Sequence, residues 1–496
     1  MQSLVLLKKR FTNSKYFKWT LRLLTVLVIL GVVLGIYWYK NKPICEKCNV
    51  ILVSLDTLSA LHLPCYGYER NTAPNLCAYA DKNIQFMNSY SQAPKTLDSH
   101  FSIFTSLYPH THKMKTILTG NLDEKYLTLA QVFRGNGYQT IYHGPLNLVY
   151  LPLNRGIEKG FSVIEGRDYE RNSINSWSQA YSKLINNTKQ NKPTFLFFNT
   201  RFVHEPFLPG YKQKHLFTDL PEYPNIPLTL EKYVDITNPD FILFVSNLIL
   251  DKNYYLAKDE HTVSDIKIAK NLKKITNMQD AKKIFSSLSS NAQTYSVVSW
   301  RDSQVDKDDP NQIQYLKALY DEQIFNLDKE LAGLFKLMDE PNLSKNTILI
   351  ITADHGEEFM EHGTLYHATN LYRTQTQVPL IIHIPGVGAK KIKEMIQGID
   401  IYPTALSLTG LSPKSPIEGI DLSGLILGKK NAKTNKYLRS EYNGMTAIQD
   451  NNWRLYYEDK NKTPKELYNL TDDPGEQKNI ITSYPEKMKS ILNLIK

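Results

Sequence analysis

The chain has 496 residues, of which 42% are hydrophobic, 11% aromatic and 22% charged. These proportions are typical of a globular protein and exclude collagen-like, coiled-coil and wholly disordered chains. The formal net charge is +10, but residues 1–42 carry eight cationic side chains and no acidic one, which leaves about +2 on the remaining 454 residues. The body of the protein is nearly neutral, so its charge does not indicate a nucleic-acid partner.

Residues 23–39 form an uncharged run, LLTVLVILGVVLGIYWY, that predicts a transmembrane helix. At 1.5 Å per residue it spans about 25 Å, near the lower limit for crossing a bilayer. A buried core helix is one alternative, but six cations precede the run. A cleaved signal peptide is another, but no small-residue cleavage site follows. The cationic flank predicts a signal anchor in the cell membrane, with residues 1–22 cytoplasmic and the catalytic part extracytoplasmic.

Four cysteines occur, at Cys45, Cys48, Cys65 and Cys77. Cys45 and Cys48 form a C-x-x-C pair in the juxtamembrane linker 40–48, without a second pair at zinc-finger spacing. In an oxidising compartment a local disulfide is favoured over a redox site. None of the four is a good candidate for a catalytic thiol.

Short apolar runs that end at polar residues predict strands buried on both faces of a parallel sheet. The runs are NVILVSL before Asp56, TFLFFNT shortly before His204, NTILIITA before Asp354 and His355, and VPLIIHI from Val378. Ligands of such sheets bind beyond the carboxyl ends of the strands. We therefore expect these aspartates and histidines to meet at one edge.

Helical patterns lie between the strand patterns, the clearest over residues 313–338. The alternation predicts an α/β fold with a central, mostly parallel sheet flanked by helices. The catalytic domain is predicted to cover residues 49–429, with an insertion at about 211–310 that is rich in Lys, Asn and Asp. Residues 430–496 contain short strand patterns separated by turns, which predict a small antiparallel subdomain.

The segment TADHGEEFMEHG indicates a metal site. Asp354 and His355 follow a strand side by side, and Asp56 from a distant strand is the candidate third ligand. A single aspartate at a strand end more often forms a turn or caps a helix. The Asp-His pair next to a glycine favours the metal site over that interpretation.

Thr96 begins a helical pattern in QAPKTLDSHFSIFTSLYPH and is the candidate nucleophile. As an N-cap it would have a structural role only. As a nucleophile it would lie beside free backbone N–H groups, which favour the anionic oxygens of a phosphate- or sulfate-like group. A bound metal would assist by stabilising the alkoxide. The two roles are compatible with each other.

Six segments occur in the order found in the sulfatase family, which belongs to the alkaline phosphatase superfamily. In chain order they are NVILVSLDTLSALHLPCYGYERNTAPNL, TLDSHFSIFTSLYPHTHK, FVHEPF, TADHGEEFMEHG, QVPLIIHIPG and ELYNLTDDPGEQKNI. The resemblance implies three metal ligands, which are Asp56, Asp354 and His355. It places the nucleophile at Thr96, and it implies that His204 contacts the transferred group or the leaving oxygen. His367, five positions after the histidine of the E-H-G segment, is implied at the same centre.

The chain also departs from that family. Sulfatases convert a Cys or Ser at the nucleophile position to formylglycine, and because Thr96 cannot be converted, no formylglycine is expected. Asp98 and His100 replace Pro and Arg of that segment, Thr57 replaces the usual second aspartate, and His355 replaces the usual Asn. A threonine with an Asp-His pair resembles instead the phosphoglycerol and phosphoethanolamine transferases of the superfamily, which commonly use manganese or zinc. Imidazole ligation favours the same two metals, with Mg²⁺ and Ca²⁺ as alternatives.

The sequence therefore predicts a membrane-anchored, metal-dependent hydrolase or transferase that acts on a phosphate- or sulfate-type ester through a covalent Thr96 intermediate, with phosphoryl-type transfer favoured. A lipid head group or an envelope glycan is the expected substrate, and no nucleic acid is expected as partner. Sulfuric ester hydrolysis is the alternative among enzymes. A catalytically degenerate binding module at the envelope is the alternative from another class, and Thr57 and Asp98 give it some weight.

Overall fold

The structure, a computed structural model, describes residues 19, 23–30, 44–114, 121–145, 155–165, 192–205, 207, 216–220, 239–250, 267–271, 283, 285–288, 300 and 303–494. Much of the predicted insertion at about 211–310 and most of the predicted cytoplasmic tail lie outside these residues. Of the predicted membrane segment, residues 23–30 are helical with exposed apolar side chains, and residues 31–39 lie outside the described part.

Among the described residues, no helix has both the length and the apolar character needed to cross a bilayer. The single-pass anchor at residues 23–39 therefore stays a prediction. We expect the full chain to remain in the membrane pellet after alkaline carbonate extraction of cells, because a spanning helix is released only by detergent. Recovery of the full chain in the carbonate supernatant would contradict the anchor.

The strands are bounded as follows: β1 Asn49–Leu55, β2 Ile84–Tyr90, β3 Gln139–His143, β4 Val163–Glu165, β5 Thr194–Thr200, β6 Thr347–Thr352, β7 Glu358–Phe359, β8 Leu365–Tyr366, β9 Leu380–His383, β10 Lys390–Gln397, β11 Leu438–Tyr442, β12 Met445–Asp450, β13 Trp453–Glu458 and β14 Thr463–Asn469. The α-helices named here are α1 Pro74–Ala80, α2 Thr96–Thr105, α3 Pro109–His112, α4 Leu129–Gly135, α5 Pro239–Leu250, α6 Pro310–Met338, α7 Pro341–Ser344, α8 Arg373–Thr376, α9 Ile401–Leu408, α10 Ser423–Ile426 and α11 Pro485–Asn493. Short 3-10 helices are Ala60–His62, Pro64–Tyr66 and Gly398–Asp400.

Eight of the described strands form a central sheet in the order β10-β2-β9-β6-β1-β5-β3-β4. Strand β1 lies inside this sheet and pairs in parallel with β5 and β6, so that Ile51 is opposite Leu196 and Leu349. Strand β9 is antiparallel to both of its neighbours, β2 and β6. The α/β architecture is confirmed, but the sheet is mixed, and the prediction of a parallel strand for VPLIIHI was wrong. An apolar run indicates that a strand is buried on both faces, but it does not indicate whether the strand is parallel or antiparallel to its neighbours.

Helices cover both faces of this sheet. Residues Ile51, Val53 and Leu55 of β1 belong to a core that includes the buried face of α6. The alternate residues Val50 and Leu52 belong to a second core, to which α2, α4 and α9 contribute. The long helix predicted over residues 313–338 is confirmed within α6, whose first turn is capped by the side chain of Asp309. Burial on both faces holds the ends of the central strands rigidly, which is what a site at their edge requires.

A four-stranded antiparallel sheet, β11-β12-β13-β14, follows the central sheet and confirms the predicted C-terminal strands. Its first hairpin turns at Asn443 and Gly444, both with positive φ, as a two-residue turn of matching twist requires. Arg454 of β13 is buried and donates to the carbonyl of Leu371 and to Oγ1 of Thr376. The second sheet thereby supports the segment that follows β8.

The four cysteines form two disulfides, Cys45–Cys48 and Cys65–Cys77. The predicted local disulfide in the C-x-x-C pair is confirmed. The second bridge joins the 3-10 helix Pro64–Tyr66 to helix α1, a pairing that cysteine spacing alone does not define. Because all four sulfurs are paired, the chain has no cysteine thiol for catalysis.

Candidate active site

The carboxyl ends of β1, β5 and β6 bring the predicted residues to one edge of the sheet. Asp56 follows β1 directly, and its backbone N–H donates to the carbonyl of Thr200 at the end of β5. Asp354 and His355 follow β6, and His204 lies four residues beyond β5. The expectation that these side chains meet is confirmed, because parallel neighbours in register end at the same edge.

Asp56, Asp354 and His355 form a buried cluster. One potential ligand atom of each lies within 4.8 Å of the others, and all three side chains are 0% exposed. The Nε2 atom of His355 lies 3.8 Å from Oδ1 of Asp56 and 3.6 Å from Oδ2 of Asp354. Its Nδ1 lies 3.0 Å from the carbonyl of Gly356, which can only accept. Nδ1 therefore carries the hydrogen, and Nε2 presents its lone pair to the carboxylates.

The donor set of this cluster fits a divalent cation. Within the described part of the chain, neither carboxylate oxygen of Asp56 has a hydrogen-bond partner, and neither does Oδ2 of Asp354. Buried carboxylates without donors are unfavourable unless a cation neutralises them. Burial, followed by the charge of Asp354, raises the pKa of Asp56, and burial raises the pKa of Asp354. A cation held by Asp56, Asp354 and His355 would satisfy all three groups.

Backbone N–H groups orient the second carboxylate. Oδ1 of Asp354 accepts from the N–H of Thr57 at 3.2 Å and from the N–H of His355 at 2.9 Å. These two bonds leave Oδ2 directed at the cluster. Thr57, which by the sequence resemblance replaces the second aspartate usual in the sulfatase family, thus contributes its backbone N–H.

Thr96 is the first residue of α2, and Lys95 is the N-cap, so the interpretation of Thr96 as a helix cap was wrong. The Thr96 side chain is instead directed at the cluster, with Oγ1 3.2 Å from Nε2 of His355. The residue is 2% exposed. Without a cation, the Thr96 hydroxyl can donate to the Nε2 lone pair; a cation held by His355 would take that lone pair and leave Oγ1 beside it. A buried hydroxyl thus lies where a nucleophile beside a cation has to be.

His204 and His367 lie on the more open side of the cluster. The ring of His367 packs against those of His355 and His204, with centroid distances of 4.5 and 4.9 Å. Its Nδ1 lies 3.1 and 3.3 Å from the two oxygens of Glu357. Burial disfavours the imidazolium, but the carboxylates of Glu357 and Glu205 outweigh burial and raise the pKa of His367 to about 10. His367 is therefore cationic near neutral pH.

Two acidic residues, Glu205 and Glu357, belong to this site and were not identified from the sequence. Both occur in segments that indicated the site, directly after His204 and two residues after His355. Their proximity to candidate histidines was a usable signal, because a buried imidazolium requires a carboxylate partner. Which carboxylate faces which histidine depends on how the segments after β5 and β8 pack together.

His100 does not supply the charge of the arginine that it replaces. Its Nε2 is 2.8 Å from Oγ of Ser54 within β1, and burial lowers the pKa of His100 to about 4. The ring is therefore neutral near pH 7. His362 belongs to the same segment as Asp354 but lies outside the cluster. Its ring stacks on that of Tyr372, with ring centroids 3.6 Å apart.

The hydroxyl of Tyr320 in α6 forms two hydrogen bonds with the turn that carries Asp56. It donates to the carbonyl of Thr57 at 2.7 Å and accepts from the N–H of Ser59 at 3.0 Å. Thr57 has φ 63°, a left-handed conformation that costs a residue with a Cβ roughly 1–2 kcal/mol. The two hydrogen bonds of Tyr320 offset that cost and hold the turn in place.

Replacing Tyr320 with phenylalanine is expected to lower the free energy of unfolding by about 1–3 kcal/mol, because two buried backbone groups lose their partner. We also expect several-fold weaker metal binding, since the turn bearing Asp56 loosens. Denaturant unfolding and metal titration measure the two effects. Tyr79→Phe is the matched control, because the buried Tyr79 hydroxyl has no hydrogen-bond partner among the described residues. Equal metal affinity in both variants would contradict a positioning role for Tyr320.

The mixed α/β sheet carries buried carboxylates, imidazoles and a hydroxyl at its carboxyl edge, an arrangement that could hold a cation and that suits a hydrolase. Comparison with known proteins agrees with that class. The family model described as Sulfatase matches residues 48–411, and the model described as N-sulphoglucosamine sulphohydrolase, C-terminal, matches residues 360–496. The chain belongs to the sulfatase family, as the sequence resemblance predicted, and its members are ester hydrolases.

Relatives share low identity over nearly the whole chain. Arylsulfatase K of Mus musculus is 23% identical over 483 residues, covering 92% of this chain and 81% of the relative. Delta 4,5-hexuronate-2-O-sulfatase of Bacteroides thetaiotaomicron is 20% identical over 474 residues, covering 88% and 85%. A solved structure of a protein in complex with its substrate D-glucosamine-2-N,6-O-disulfate superposes with a TM-score of 0.63 at 19% identity, covering 90% and 97%. The first two relatives are named as sulfatases, and the solved structure shows the shared fold.

Proposed function

We propose that the protein hydrolyses sulfate esters, with a sulfated sugar as the substrate class. The relatives named as sulfatases support the sulfate ester, and the hexuronate sulfatase and the disulfated glucosamine complex support the sugar. The observation that carries the proposal is the contact between Thr96 and the buried cluster, with Thr96 Oγ1 3.2 Å from Nε2 of His355. A hydroxyl, two carboxylates and an imidazole at this spacing form a site for attack on a tetrahedral oxyanion group.

Each side chain has a stated role in this proposal. Thr96 loses its hydroxyl proton to solvent and its oxygen attacks the sulfur in line, while the sulfur–oxygen bond to the sugar breaks and the leaving oxygen takes up a proton. Water then attacks the sulfur of the Thr96 ester, the bond from sulfur to Thr96 Oγ1 breaks, and sulfate and the free hydroxyl are released. Asp56, Asp354 and His355 would hold a divalent cation, which supplies positive charge that stabilises the alkoxide and the sulfate oxygens. His204 and His367 neutralise charge on the group or donate a proton to the leaving oxygen.

The metal and the formylglycine of the family are separate questions. Sulfatases generally depend on Ca²⁺ or Mg²⁺, whereas the imidazole of His355 favours Mn²⁺ or Zn²⁺ here. Formylglycine is typical of sulfatases, but its precursors are Cys and Ser, and this chain has Thr96 at that position with its cysteines in disulfides. The expectation that no formylglycine forms thus differs from the family pattern and follows from one residue. Mass spectrometry of the peptide containing Thr96 tests it.

Thr96 also favours a second candidate function, phosphoryl-type transfer or hydrolysis. An unmodified hydroxyl forms a covalent ester that must be cleaved by attack of water, or of an acceptor alcohol, on its central atom. Phosphate monoesters of Ser and Thr pass through this route on metal-assisted sites. A lipid head group would then be an alternative substrate.

The purified full chain, loaded in turn with Ca²⁺, Mn²⁺ and Zn²⁺, should be assayed on 4-nitrophenyl sulfate, 4-nitrophenyl phosphate and bis-4-nitrophenyl phosphate. We expect kcat/KM to be highest for the sulfate ester, by on the order of tenfold or more, which corresponds to about 1.4 kcal/mol in the barrier. A preference for either phosphate ester would support the second candidate instead. No turnover of any ester by the metal-loaded protein would refute both. Thr96→Ala, prepared identically, controls for contaminating enzymes.

A further inference from the structure

We propose that Arg201 is a further binding residue of the active site and that its guanidinium holds the oxygens of the sulfate group that is transferred. Arg201 directly follows β5, whose last residue is Thr200. The inference rests on the proposed function, because it names the side chain that binds the anionic part of the proposed substrate. The position of Arg201 at the carboxyl edge of the sheet, its burial and its charge support it.

Arg201 lies beside Asp56 because strands β1 and β5 are paired in register. Leu55, the last residue of β1, is opposite Thr200, the last residue of β5. The N–H of Asp56 donates to the carbonyl of Thr200 at 3.0 Å, so the pairing continues to the edge of the sheet. The next residue is Asp56 on one segment and Arg201 on the other. Arg201 therefore starts from the backbone position next to the one that carries Asp56.

A tight turn joins Arg201 to His204. The N–H of His204 donates to the carbonyl of Arg201 at 3.2 Å, which is the hydrogen bond that closes a four-residue turn. The Cα atoms at the two ends of such a turn are less than about 7 Å apart. The ring of His204 packs against that of His367, which in turn packs against His355. The turn thus holds Arg201 close to the histidines on the open side of the cluster.

The side chain of Arg201 is half-buried, and its Nε atom is buried. Burial and the charge of Asp354 raise the pKa of Asp56, and the charge of Arg201 is one of those that oppose this rise. The guanidinium is therefore close enough to Asp56 to act on it electrostatically. Because the side chain is not fully buried, it can also contact a ligand that enters the site.

The charges around the cluster favour a cation at this position. Four acidic side chains, those of Asp56, Asp354, Glu205 and Glu357, surround the site and would repel an anionic group. The imidazolium of His367 is paired with Glu357, so that part of its charge is already compensated. A guanidinium adds positive charge that does not depend on pH near neutrality.

A guanidinium also matches the shape of the group. Its planar fork can donate two parallel hydrogen bonds to two oxygens of a tetrahedral oxyanion, whereas an ammonium group is a point charge. By the sequence resemblance, His100 of α2 replaces an arginine, and burial lowers the pKa of His100 to about 4, so that its ring is neutral. Arg201 offers a guanidinium from β5 where α2 has only this neutral ring.

Binding of inorganic sulfate to the zinc-loaded full chain tests Arg201 without turnover. Isothermal titration calorimetry gives the Kd of sulfate for the unaltered protein and for each variant. We expect Arg201→Gln to bind sulfate on the order of 10- to 100-fold more weakly, since charge-assisted hydrogen bonds are lost. Arg201→Lys, which keeps the charge without the fork, should have an intermediate Kd. Arg134→Gln is the matched control, because it removes the same charge from an exposed position in α4, and its Kd should be unchanged.

Zinc analysis and thermal melting of the same preparations show whether each variant is folded and carries the same metal. Arg201→Met, which retains the unbranched apolar stem, replaces Arg201→Gln if the latter does not fold, with the same loss of affinity expected. An unchanged Kd in Arg201→Gln, or no sulfate binding by the unaltered protein, would overturn the assignment. Loss of zinc from Arg201→Gln would also overturn it, because Arg201 would then act through the metal cluster.

Kinetics with 4-nitrophenyl sulfate distinguish a failure of this inference from a failure of the proposed function. Weaker sulfate binding in Arg201→Gln, without hydrolysis of the ester by the unaltered protein, would support the assignment of Arg201 while refuting the proposed function. Hydrolysis with equal kcat/KM in the unaltered protein and in Arg201→Gln would support the function while refuting the role of Arg201.

Discussion

Replacing Thr96 with alanine is expected to lower kcat on the order of 10³-fold or more while the zinc content stays the same as in the unaltered protein. The reason is that Thr96 Oγ1 is the nucleophile candidate at the buried cluster, 3.2 Å from Nε2 of His355, and a nucleophile has no substitute once its hydroxyl is removed. The metal remains because Asp56, Asp354 and His355 are unaltered. Steady-state kinetics and metal analysis on the same preparation measure both quantities.

Two control variants separate the nucleophile from a general effect of altering helix α2. Thr96→Ser keeps the hydroxyl and should retain most of the activity. Thr105→Ala removes a hydroxyl from the other end of α2, where it donates to the carbonyl of Phe101, and should leave kcat unchanged. Retention of full activity by Thr96→Ala would refute the nucleophile assignment. Equal losses in Thr96→Ala and Thr105→Ala would indicate damage to the helix instead.

Replacing Asp56 with asparagine is expected to remove tight metal binding and most activity, and yet to stabilise the metal-free protein at neutral pH. Burial, followed by the charge of Asp354, raises the pKa of Asp56 in the folded state above its value of 3.8 in the unfolded chain. The folded state therefore binds the Asp56 proton more tightly than the unfolded state does. Ionisation of Asp56 opposes folding, and asparagine removes that opposition.

The pH dependence of the stability of the metal-free protein follows from the raised pKa of Asp56. The contribution of Asp56 to the stability of the metal-free protein is fully present below pH 3.8 and is lost as pH rises through the raised pKa of the folded state. Thermal melting in a chelator should therefore give a midpoint that falls with rising pH more steeply for the unaltered protein than for Asp56→Asn. Above pH 3.8 the metal-free variant is therefore expected to melt at a higher temperature than the metal-free unaltered protein.

Asp328 provides a matched comparison for this experiment. It is also a buried aspartate, but its oxygens accept from the N–H groups of Asn75 and Leu76 and from the Asn75 side chain. Burial raises the pKa of Asp328 as well, so both replacements remove a charge that opposes folding, but Asp328→Asn also loses accepted hydrogen bonds. Asp328→Asn should therefore melt below Asp56→Asn when no metal is bound. Added zinc should raise the melting midpoint of the unaltered protein and of Asp328→Asn. If the metal-free Asp56→Asn variant melts below the metal-free unaltered protein at pH 7, the buried carboxylate is satisfied without a cation and the metal site is refuted.

For the choice between a sulfate and a phosphate ester, reasoning from single residues and comparison with relatives point to different answers. Thr96 and His355 favoured phosphoryl-type transfer because each departs from the sulfatase pattern. The whole-chain relatives favour sulfate esters instead. A nucleophile and one ligand define how a tetrahedral oxyanion group is attacked, but sulfate and phosphate groups share shape and oxygen ligands. The two groups differ in charge, and a nucleophile and one ligand do not define how much charge the site neutralises.

The sequence by itself determined the α/β class, the long helix over 313–338, the antiparallel C-terminal strands and the cluster of Asp56, Asp354 and His355 with Thr96 beside it. The fold features depend on local periodicity and on where an apolar run ends, which a single segment of sequence shows. The place of Thr96 beside the cluster is what the resemblance to the sulfatase family implied. Only the tertiary structure decided the direction of β9, the Cys65–Cys77 bridge and the place of Glu205 and Glu357 around His367. These three features depend on which distant segments of the chain pack together. Strand direction, disulfide pairing and the contacts between charged side chains involve two segments each, so the residue pattern of one segment does not reveal them.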